Sequence, residues 1–429
     1  MKKYFTFIFF IPVILLLNGC LKETDIDSTL ILLSDDVITV NGEEISINEK
    51  NSVYVGADII YYEEGQDDTY GEGTVEDAHS KEEADMHTVV TITKPGVYKV
   101  SGKLLYGQIA IDLGKDVRDN EEAVVTLILD NAEINCSVAP AIIVYHAYEC
   151  GSSKKKDATP YVNTDYAGFH LILAKDSKNY ISGSYVAKIY KDDTTMEEVN
   201  SGDAKKKYKF DGAIHSEVSF TINAEENGKL NVKAENEGIT GALHMTVNSG
   251  YIMIDSCNDA FNTNEEKSSV FTVNGGTLLC NSGFGKEGDG IDSNGYIVIN
   301  DGFILSCAHS DTEDKGLDSD EGIYIHGGQI IATGNDYDEI SEESKQGFFV
   351  FELTDKITAG EIVLITDKEN HPLIAYQAIN DYSILIYSQS EIKLEDYYFY
   401  KVSSVTGNLK NHVYTDITDF QDAKKIVKK

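Results

Sequence analysis

Short runs in which apolar and polar residues alternate recur from residue 89 onward, and Gly, Asn and Asp residues separate them. Clear examples lie at residues 89–93, 97–102, 108–113 and 124–129. Alternation with a period of two is typical of β-strands, and no stretch sustains the period of about 3.6 residues that an amphipathic α-helix requires. The pattern therefore predicts a nearly all-β protein.

Turn glycines repeat at a fixed interval in the second half of the chain. Gly250, Gly276, Gly302 and Gly328 follow one another at spacings of 26 residues. A short apolar run precedes each glycine and another follows it, so two strands around one turn fill each unit. Repeats of about 20 to 50 residues indicate a solenoid or a propeller.

A second motif follows the same interval. It reads Asp-Ala-Phe-Asn at 259–262, Asp-Gly-Ile-Asp at 289–292 and Lys-Gly-Leu-Asp at 315–318, with a weaker copy at 211–214. Gly290 and Gly316 are again 26 residues apart, whereas Ala260 and Gly290 are 30 apart because residues 265–268 resemble a loop insertion.

Two other repeat architectures, the leucine-rich repeat and the β-propeller, do not fit these 26-residue units. The leucine-rich signature is missing, and a propeller blade needs four strands in about 40 residues. The remaining prediction is a right-handed parallel β-helix, in which stacked coils bury a shared core. We place this domain at residues 86–336.

Residues 337–429 are expected to form an antiparallel β cap, since five strand-like runs lie between residues 347 and 402. A cap is needed because an open end of the solenoid would expose unpaired backbone groups. Residues 418–429 are expected to form a short terminal helix or to fray.

The N-terminus predicts an export signal. Lys2 and Lys3 precede an apolar run that is too short to span a bilayer, and the sequence Leu-Asn-Gly-Cys ends at Cys20. This arrangement is typical of a bacterial lipoprotein, with residues 1–19 removed and a lipid attached to Cys20. We therefore expect an extracytoplasmic protein anchored to the bacterial cell membrane.

Residues 20–85 are expected to form a tether that leads into an edge strand, followed by an acidic segment. Residues 63–85 carry ten acids and one lysine, a composition typical of a solvated loop. Five cysteines follow Cys20, and none of them form short-spaced pairs, which excludes a disulfide framework. A single disulfide between Cys136 and Cys150 remains an open alternative.

The chain has a formal net charge of −36, and Arg118 is its only arginine. A nucleic-acid partner is therefore excluded, because phosphate recognition needs clustered Lys and Arg. Metal cations are the first candidate partners for so acidic a protein.

The repeat would stack acidic side chains. Equivalent residues on neighbouring coils lie about 4.8 Å apart, which places Asp292 over Asp318, Asn262 beside Asp292, and Asp259 beside Asp289; Asn294 would lie over Asp320. Two such carboxylates repel by about 3.5 kcal/mol at an effective dielectric of about 20. Ca²⁺ binds oxygens at about 2.3 to 2.6 Å and could lie between them. Alternatively, these acids are turn residues that face solvent.

Two lysines, Lys286 and Lys315, lie near this stack. In a polyuronate lyase, calcium would acidify the proton of the uronate and a lysine of lowered pKa would remove it. The alternative is that each lysine balances its acidic neighbours, Glu287 and Asp314.

Residues 91–98 and 124–134, together with the Asp-Gly-Ile coils and the Asn-Gly-Gly turns, resemble the bacterial carbohydrate-binding β-helix family. That family is similar in shape to family-nine pectate lyases. The resemblance covers about residues 85–335 and implies binding of calcium and of an acidic polysaccharide such as polygalacturonate. Lys315 departs from the expected Asp, and the loop at 188–207 is long.

Three functions follow as hypotheses. The first is a surface lipoprotein, expected to be a monomer, that binds acidic polysaccharide through calcium at Asp259, Asn262, Asp289, Asp292, Asp318 and Asp320. The second is a calcium-dependent polyuronate lyase that uses Lys286 or Lys315. The third is a structural surface protein or adhesin in which calcium only stiffens the solenoid.

Overall fold

The computed structural model describes residues 28–390 and 397–427. Apart from two short α-helices, α1 (Lys81–Asp85) and α2 (Met196–Ser201), and two single 3-10 turns, the described residues form strands, turns and loops. The prediction of an all-β protein is confirmed.

Thirteen strands precede residue 211. They are β1 (Thr29–Leu33), β2 (Thr39–Val40), β3 (Glu43–Glu44), β4 (Val53–Gly56), β5 (Thr88–Ile92), β6 (Gly96–Leu104), β7 (Gly107–Asp112), β8 (Val125–Cys136), β9 (Ile142–His146), β10 (Phe169–Leu173), β11 (Lys178–Gly183), β12 (Val186–Tyr190) and β13 (Lys206–Phe210).

The repeats supply the next fifteen strands. They are β14 (Gly212–Ser216), β15 (Phe220–Ala224), β16 (Lys229–Ala234), β17 (Glu237–Gly241), β18 (His244–Val247), β19 (Tyr251–Ser256), β20 (Phe261–Thr263), β21 (Val270–Val273), β22 (Thr277–Asn281), β23 (Ile291–Ser293), β24 (Tyr296–Ile299), β25 (Phe303–Cys307), β26 (Asp318–Ser319), β27 (Gly322–Ile325) and β28 (Gln329–Gly334).

Eight strands follow. They are β29 (Phe348–Ile357), β30 (Ile362–Asp367), β31 (Pro372–Gln377), β32 (Tyr382–Ser388), β33 (Tyr397–Val402), β34 (Ser404–Lys410), β35 (Val413–Gln421) and β36 (Lys424–Lys425).

The strands of the repeats stack in three parallel ladders. One ladder runs from β5 through β7, β9, β14, β17, β20 and β23 to β26. A second runs from β8 through β10, β15, β18, β21 and β24 to β27, and a third from β8 through β11, β16, β19, β22 and β25 to β28. Each predicted repeat therefore contributes one strand to each ladder.

The register of these ladders follows the 26-residue interval. Ile252 pairs with Leu278, Leu278 with Ile304 and Ile304 with Ile330, and all four side chains are fully buried. Burying such a side chain contributes about 1.5 to 3 kcal/mol. Rows of this kind build one core that continues from repeat to repeat.

The turn glycines have the backbone conformation that their recurrence predicts. Gly276 has a φ of +92°, and a Cβ atom there would lie 2.7 Å from the carbonyl oxygen of Gly250. Gly328 repeats the arrangement, with a φ of +88° and 2.8 Å to the carbonyl oxygen of Gly302. Only glycine combines this conformation with so close an approach.

The C-terminal region consists of antiparallel strands, as predicted. β32 pairs antiparallel with both β28 and β29, and so joins this region to the end of the third ladder. The expectation of a terminal helix or frayed end was wrong: β35 and β36 cover residues 413–421 and 424–425, because β34, β31 and β33 supply their hydrogen-bonding partners.

The N-terminal region is more closely packed than the expected tether and solvated loop. β1 pairs in parallel with β6. In the acidic segment, Glu72 pairs with Lys188 and accepts a hydrogen bond from Tyr190 at 3.0 Å, and Asp77 accepts one from the hydroxyl of Tyr185. These contacts hold the acidic segment against β12 and against Tyr185, which precedes it.

Two other expectations concern the N-terminal export signal and the cysteines. Residues 1–19 and Cys20 lie outside the described residues, and within the described part no helix is long and apolar enough to cross a bilayer. The five described cysteines are free, so Cys136 and Cys150 do not form a bridge.

Candidate functional site

The predicted stacking of acidic residues is present on one edge of the first ladder. Asn262 pairs with Asp292 in the parallel register of β20 and β23, and Asp292 pairs with Asp318 in that of β23 and β26. Since Phe261 and Ile291 point into the core, the residue that follows each of them points outward. We call Asn262, Asp292 and Asp318 the first column.

A second column lies three residues earlier in each coil and contains Glu237, Asp259, Asp289 and Lys315. Its carboxylates are tied to the next coil: Asp259 accepts a hydrogen bond from the main-chain N–H of Asp289 at 2.7 Å, and Asp289 accepts one from the N–H of Lys315 at 2.5 Å. The side chains of this column therefore help to hold successive coils in register.

The residues at the N-terminal end of both columns are shielded from water. Glu237, Asn262 and Asp259 are only 5%, 6% and 7% exposed. Burial, followed by the charges of neighbouring carboxylates, raises the pKa of Glu237 and of Asp259 well above the usual range. Both groups would be easier to ionise beside a positive charge.

The middle of the site shows the same effect. Burial and the charge of Asp259 raise the pKa of Asp289 to about 8, and burial and the charge of Asp318 raise the pKa of Asp292 to about 8. At neutral pH these stacked carboxyls compete with one another for ionisation, as the calculated repulsion of about 3.5 kcal/mol between stacked carboxylates anticipates.

Lys315 supplies a positive charge at the C-terminal end. Its Nζ atom lies 3.1 Å from Asp318 and 2.8 Å from Asp338, and Asp338 also accepts the N–H of Ser319 at 2.8 Å. Burial lowers the pKa of Lys315, but the hydrogen bond to Asp338 and the charge of Asp318 outweigh it, so the pKa is raised. The lysine that departs from the repeat therefore acts as a built-in counter-ion.

Two oxygens of the site lack a partner. Oε2 of Glu237 and Oδ1 of Asn262 are buried and accept no hydrogen bond, although the Asn262 amide donates to Glu237 and to Asp259 at 3.2 Å each. Buried oxygens without partners are rare and costly. Carboxylate and amide oxygens are the ligands that Ca²⁺ prefers, so the donor set fits that ion.

The side chains are not closed around one point. Within residues 28–390 and 397–427, no group of three or more His, Cys, Asp or Glu side chains is already positioned to hold a metal ion. The acids are distributed along an edge, and some of their oxygens are occupied by main-chain N–H groups.

The sequence profile of the carbohydrate-binding domain-containing proteins matches residues 86–371, which is more than half of the chain. The chain belongs to this family. No curated protein matches the sequence. A solved structure described as the polysaccharide lyase-like protein from C. thermocellum, in a gadolinium derivative, is 17% identical, with a TM-score of 0.37, and the comparison covers 74% of this chain and 92% of that one.

Two predicted site residues of this carbohydrate-binding family member remain, Asp320 and Lys286, and only the first lies where the sequence places it. Asp320 follows β26 and is exposed, and its N–H donates to the carbonyl of Ser293 at 3.2 Å, which places it beside Asn294 as expected. Lys286 is 93% exposed, and its nearest acid is Glu76, at 3.6 Å, rather than a residue of either column. The structure therefore brings Lys315, but not Lys286, to the predicted site.

Sequence reasoning missed two acids of the site. Glu237 opens the sequence Glu-Gly-Ile-Thr at 237–240, a variant of the Asp-Gly-Ile-Asp motif that the motif itself could have revealed. Asp338 lies beyond the last repeat, and no spacing in the sequence points to it.

Proposed function

We propose that this carbohydrate-binding protein is an extracytoplasmic lipoprotein that binds acidic polysaccharide through calcium held at the two columns. We further infer that the three parallel ladders wind as a right-handed parallel β-helix, closed by the antiparallel C-terminal strands. Membership of the carbohydrate-binding family supports a polysaccharide partner in general.

The observation that carries the calcium proposal is the row of buried and half-buried acids that repel one another, together with the unpartnered oxygens of Glu237 and Asn262. Asp289 and Asp292 have pKa values of about 8, and Lys315 balances only the end of the row. A protein of net charge −36 also repels a polyanion. Positive charge at this edge would address both problems.

The residues divide the work by position. Asp292 and Asp318 are partly exposed and face outward, so they can hold a cation within reach of a ligand, whereas Glu237, Asp259 and Asn262 are buried and suit a cation that joins coils. Bound Ca²⁺ would supply a shared positive centre for protein and uronate carboxylates.

The lyase hypothesis has less support from the two lysines. A base that removes a proton near neutral pH needs a lowered pKa, but the pKa of Lys315 is raised, and Lys286 is 93% exposed and pairs with Glu76 rather than with an acid of either column. We therefore favour binding over cleavage.

Calorimetry tests the proposal directly. Chelator-treated protein is titrated with Ca²⁺, and polygalacturonate is then titrated into the calcium-free and calcium-loaded forms. We expect heat from the polysaccharide only with calcium. Calcium binding without that heat would leave calcium as a structural ion, and the absence of both would overturn the proposal.

The anchor has its own test, because Cys20 lies outside the described residues. Expression in a bacterium with a labelled fatty acid should label the wild-type chain. The variant Cys20→Ser should stay unlabelled and leave the membrane fraction. Equal labelling of both would contradict the lipid anchor.

A further inference from the structure

Four aromatic side chains gather on the outer face of the second ladder. Tyr296 and Tyr324 lie on β24 and β27, and their ring centroids are 6.2 Å apart; His326 follows β27, at 6.3 Å from Tyr324. Tyr161 reaches them from the loop before β10, with its ring parallel to that of His326 within 11° at a centroid distance of 6.4 Å. We call these four residues the aromatic cluster.

The loop that carries Tyr161 is fastened to the ladder. The hydroxyl of Thr164 donates a hydrogen bond to that of Thr246 at 2.7 Å, and both residues are buried. Tyr161 itself is 59% exposed. A large aromatic side chain is thus held at the surface by a buried polar contact, although the core does not require it.

A row of amides ends beside the aromatic cluster. The side chain of Asn300 donates to that of Asn274 at 2.8 Å, Asn274 donates to Asn248 at 2.8 Å, and Asn248 donates to Asn223 at 3.0 Å. We call these four residues the amide ladder. The next residue in this row is His326, and neither of its ring nitrogens has a hydrogen-bond partner. A polar partner is therefore missing where the row meets the aromatic rings.

A cavity of about 260 Å³ adjoins the aromatic cluster. Tyr161, Asn163 and Asp165 of the loop form one side, and Thr272, Asn274 and Asn300 of the ladder form the other. This combination of an aromatic face with amide and hydroxyl groups offers both apolar and hydrogen-bonding contacts to one ligand.

The aromatic cluster lies close to the first column along the chain. Tyr296 follows Asp292 of the first column by four residues, so the two lie at most about 14 Å apart along the chain. The aromatic cluster is therefore close enough for one chain molecule to contact both it and the first column.

We propose that the aromatic cluster and the adjoining cavity form a subsite that stacks a pyranose ring of the polysaccharide, with Asn274 and Asn300 bonding its hydroxyls. The inference rests on the proposed function and adds a second contact with the polysaccharide, one that does not require calcium. The C–H face of a pyranose is apolar and its hydroxyls lie at the rim, which matches rings flanked by amides. The amides are neutral hydrogen-bonding groups, and Asp165, on the loop side of the cavity, can accept a hydrogen bond from a sugar hydroxyl.

The test compares tyrosines of one loop. Tyr161→Ala removes the exposed ring, Tyr161→Phe keeps the ring without its hydroxyl, and Tyr166→Ala is the matched control. Tyr166 is 75% exposed in the same loop and contacts no other ring among the described residues. Affinity for polygalacturonate in saturating Ca²⁺ and affinity for Ca²⁺ alone are measured for each full-length variant.

We expect Tyr161→Ala to weaken polygalacturonate binding by about three- to tenfold, the value of one aromatic contact. Its Ca²⁺ affinity should be unchanged, and Tyr161→Phe and Tyr166→Ala should bind as the wild type does. Unchanged binding by Tyr161→Ala, or an equal loss in Tyr166→Ala, would overturn the subsite alone. Failure of the wild type to bind polygalacturonate would overturn both the subsite and the proposed function.

Discussion

The amide ladder and the first column are built on the same geometry and have opposite energetics. Asn248, Asn274 and Asn300 stack in a parallel register, and each amide donates to the one before it. Asp292 and Asp318 stack in the same way, but a carboxylate only accepts hydrogen bonds. Stacking therefore satisfies the amides and sets the carboxylates against each other.

The repeat determines which side chains are stacked, whereas the type of residue determines whether the stacking is favourable. The 26-residue interval brings equivalent side chains together whether the contact is favourable or not. At the C-terminal end of the first column, Lys315 lies 3.1 Å from Asp318 and relieves the repulsion within the chain. Lys315 forms no ion pair with Asp292, and its charge does not offset the burial and the neighbouring carboxylates that raise the pKa of Asp292 to about 8.

The largest expected effect comes from turning the first column into a second amide ladder. In Asp292→Asn with Asp318→Asn, calcium affinity should fall by at least about a hundredfold, because two charged oxygen ligands are lost. The calcium-free protein should become more stable by about 1–3 kcal/mol, since the repulsion is removed. Calorimetry and thermal unfolding measure the two changes.

The matched control is Glu287→Gln with Glu313→Gln, which removes the same number of charges from exposed neighbours outside both columns. Its calcium affinity should stay within about twofold of the wild type. A comparable loss in this control would mean that net charge, rather than the first column, attracts calcium.

The next effect is the dependence of stability on pH. Asp289 and Asp292 have a folded-state pKa of about 8, above the usual value near 4 of an unfolded chain. Between these two pKa values the folded state binds more protons than the unfolded state. The contribution of Asp289 and Asp292 to the stability of the calcium-free protein should therefore be greatest below about pH 4, and it should be lost as the pH rises through about 8.

Thermal unfolding in chelator from pH 5 to pH 9 should therefore show a falling Tm. Saturating calcium should remove most of the fall, because it stabilises the ionised acids. An equal fall with and without calcium would contradict a calcium site at these residues.

A smaller effect is expected from the reverse change in the amide ladder. Asn274→Asp removes the donor to Asn248 while leaving an acceptor for Asn300, so the protein should lose about 1 kcal/mol of stability. Asn274→Ser, which keeps a donor, should lose less. Denaturant unfolding measures both, and an equal loss would argue against the hydrogen bond as the cause.

The smallest effect is expected at Lys286. Its side chain is 93% exposed, and a surface contact of this kind contributes little. Lys286→Ala should change the free energy of unfolding by less than about 0.5 kcal/mol and leave calcium affinity unaltered. A marked loss of calcium or polysaccharide binding in this variant would mean that Lys286 is part of the binding site.

Much of the architecture could be predicted because the repeat is so regular. The interval between Gly276 and Gly302 gives the register of their coils, and the motif at 289–292 then places Asp292 over Asp318. The alternation of apolar residues identified the strands of the C-terminal region up to residue 402.

The rest depends on contacts that no interval encodes. Asp338 approaches Lys315 from beyond the last repeat, and the partners of β35 decide that residues 413–421 form a strand rather than a helix. Lys286 lies close to the columns in sequence, but its side chain points into solvent. Tertiary packing, rather than local pattern, determines these positions.

The uniform register of the coils also bears on how such a protein can evolve. Since Ile297 pairs with Ile323 as Phe271 does with Ile297, a duplication of one 26-residue unit would add a rung to every ladder without disturbing the buried rows. Each duplication would lengthen the outer surface by about 4.8 Å. The length of the outer surface could therefore change in equal steps while the fold stays the same.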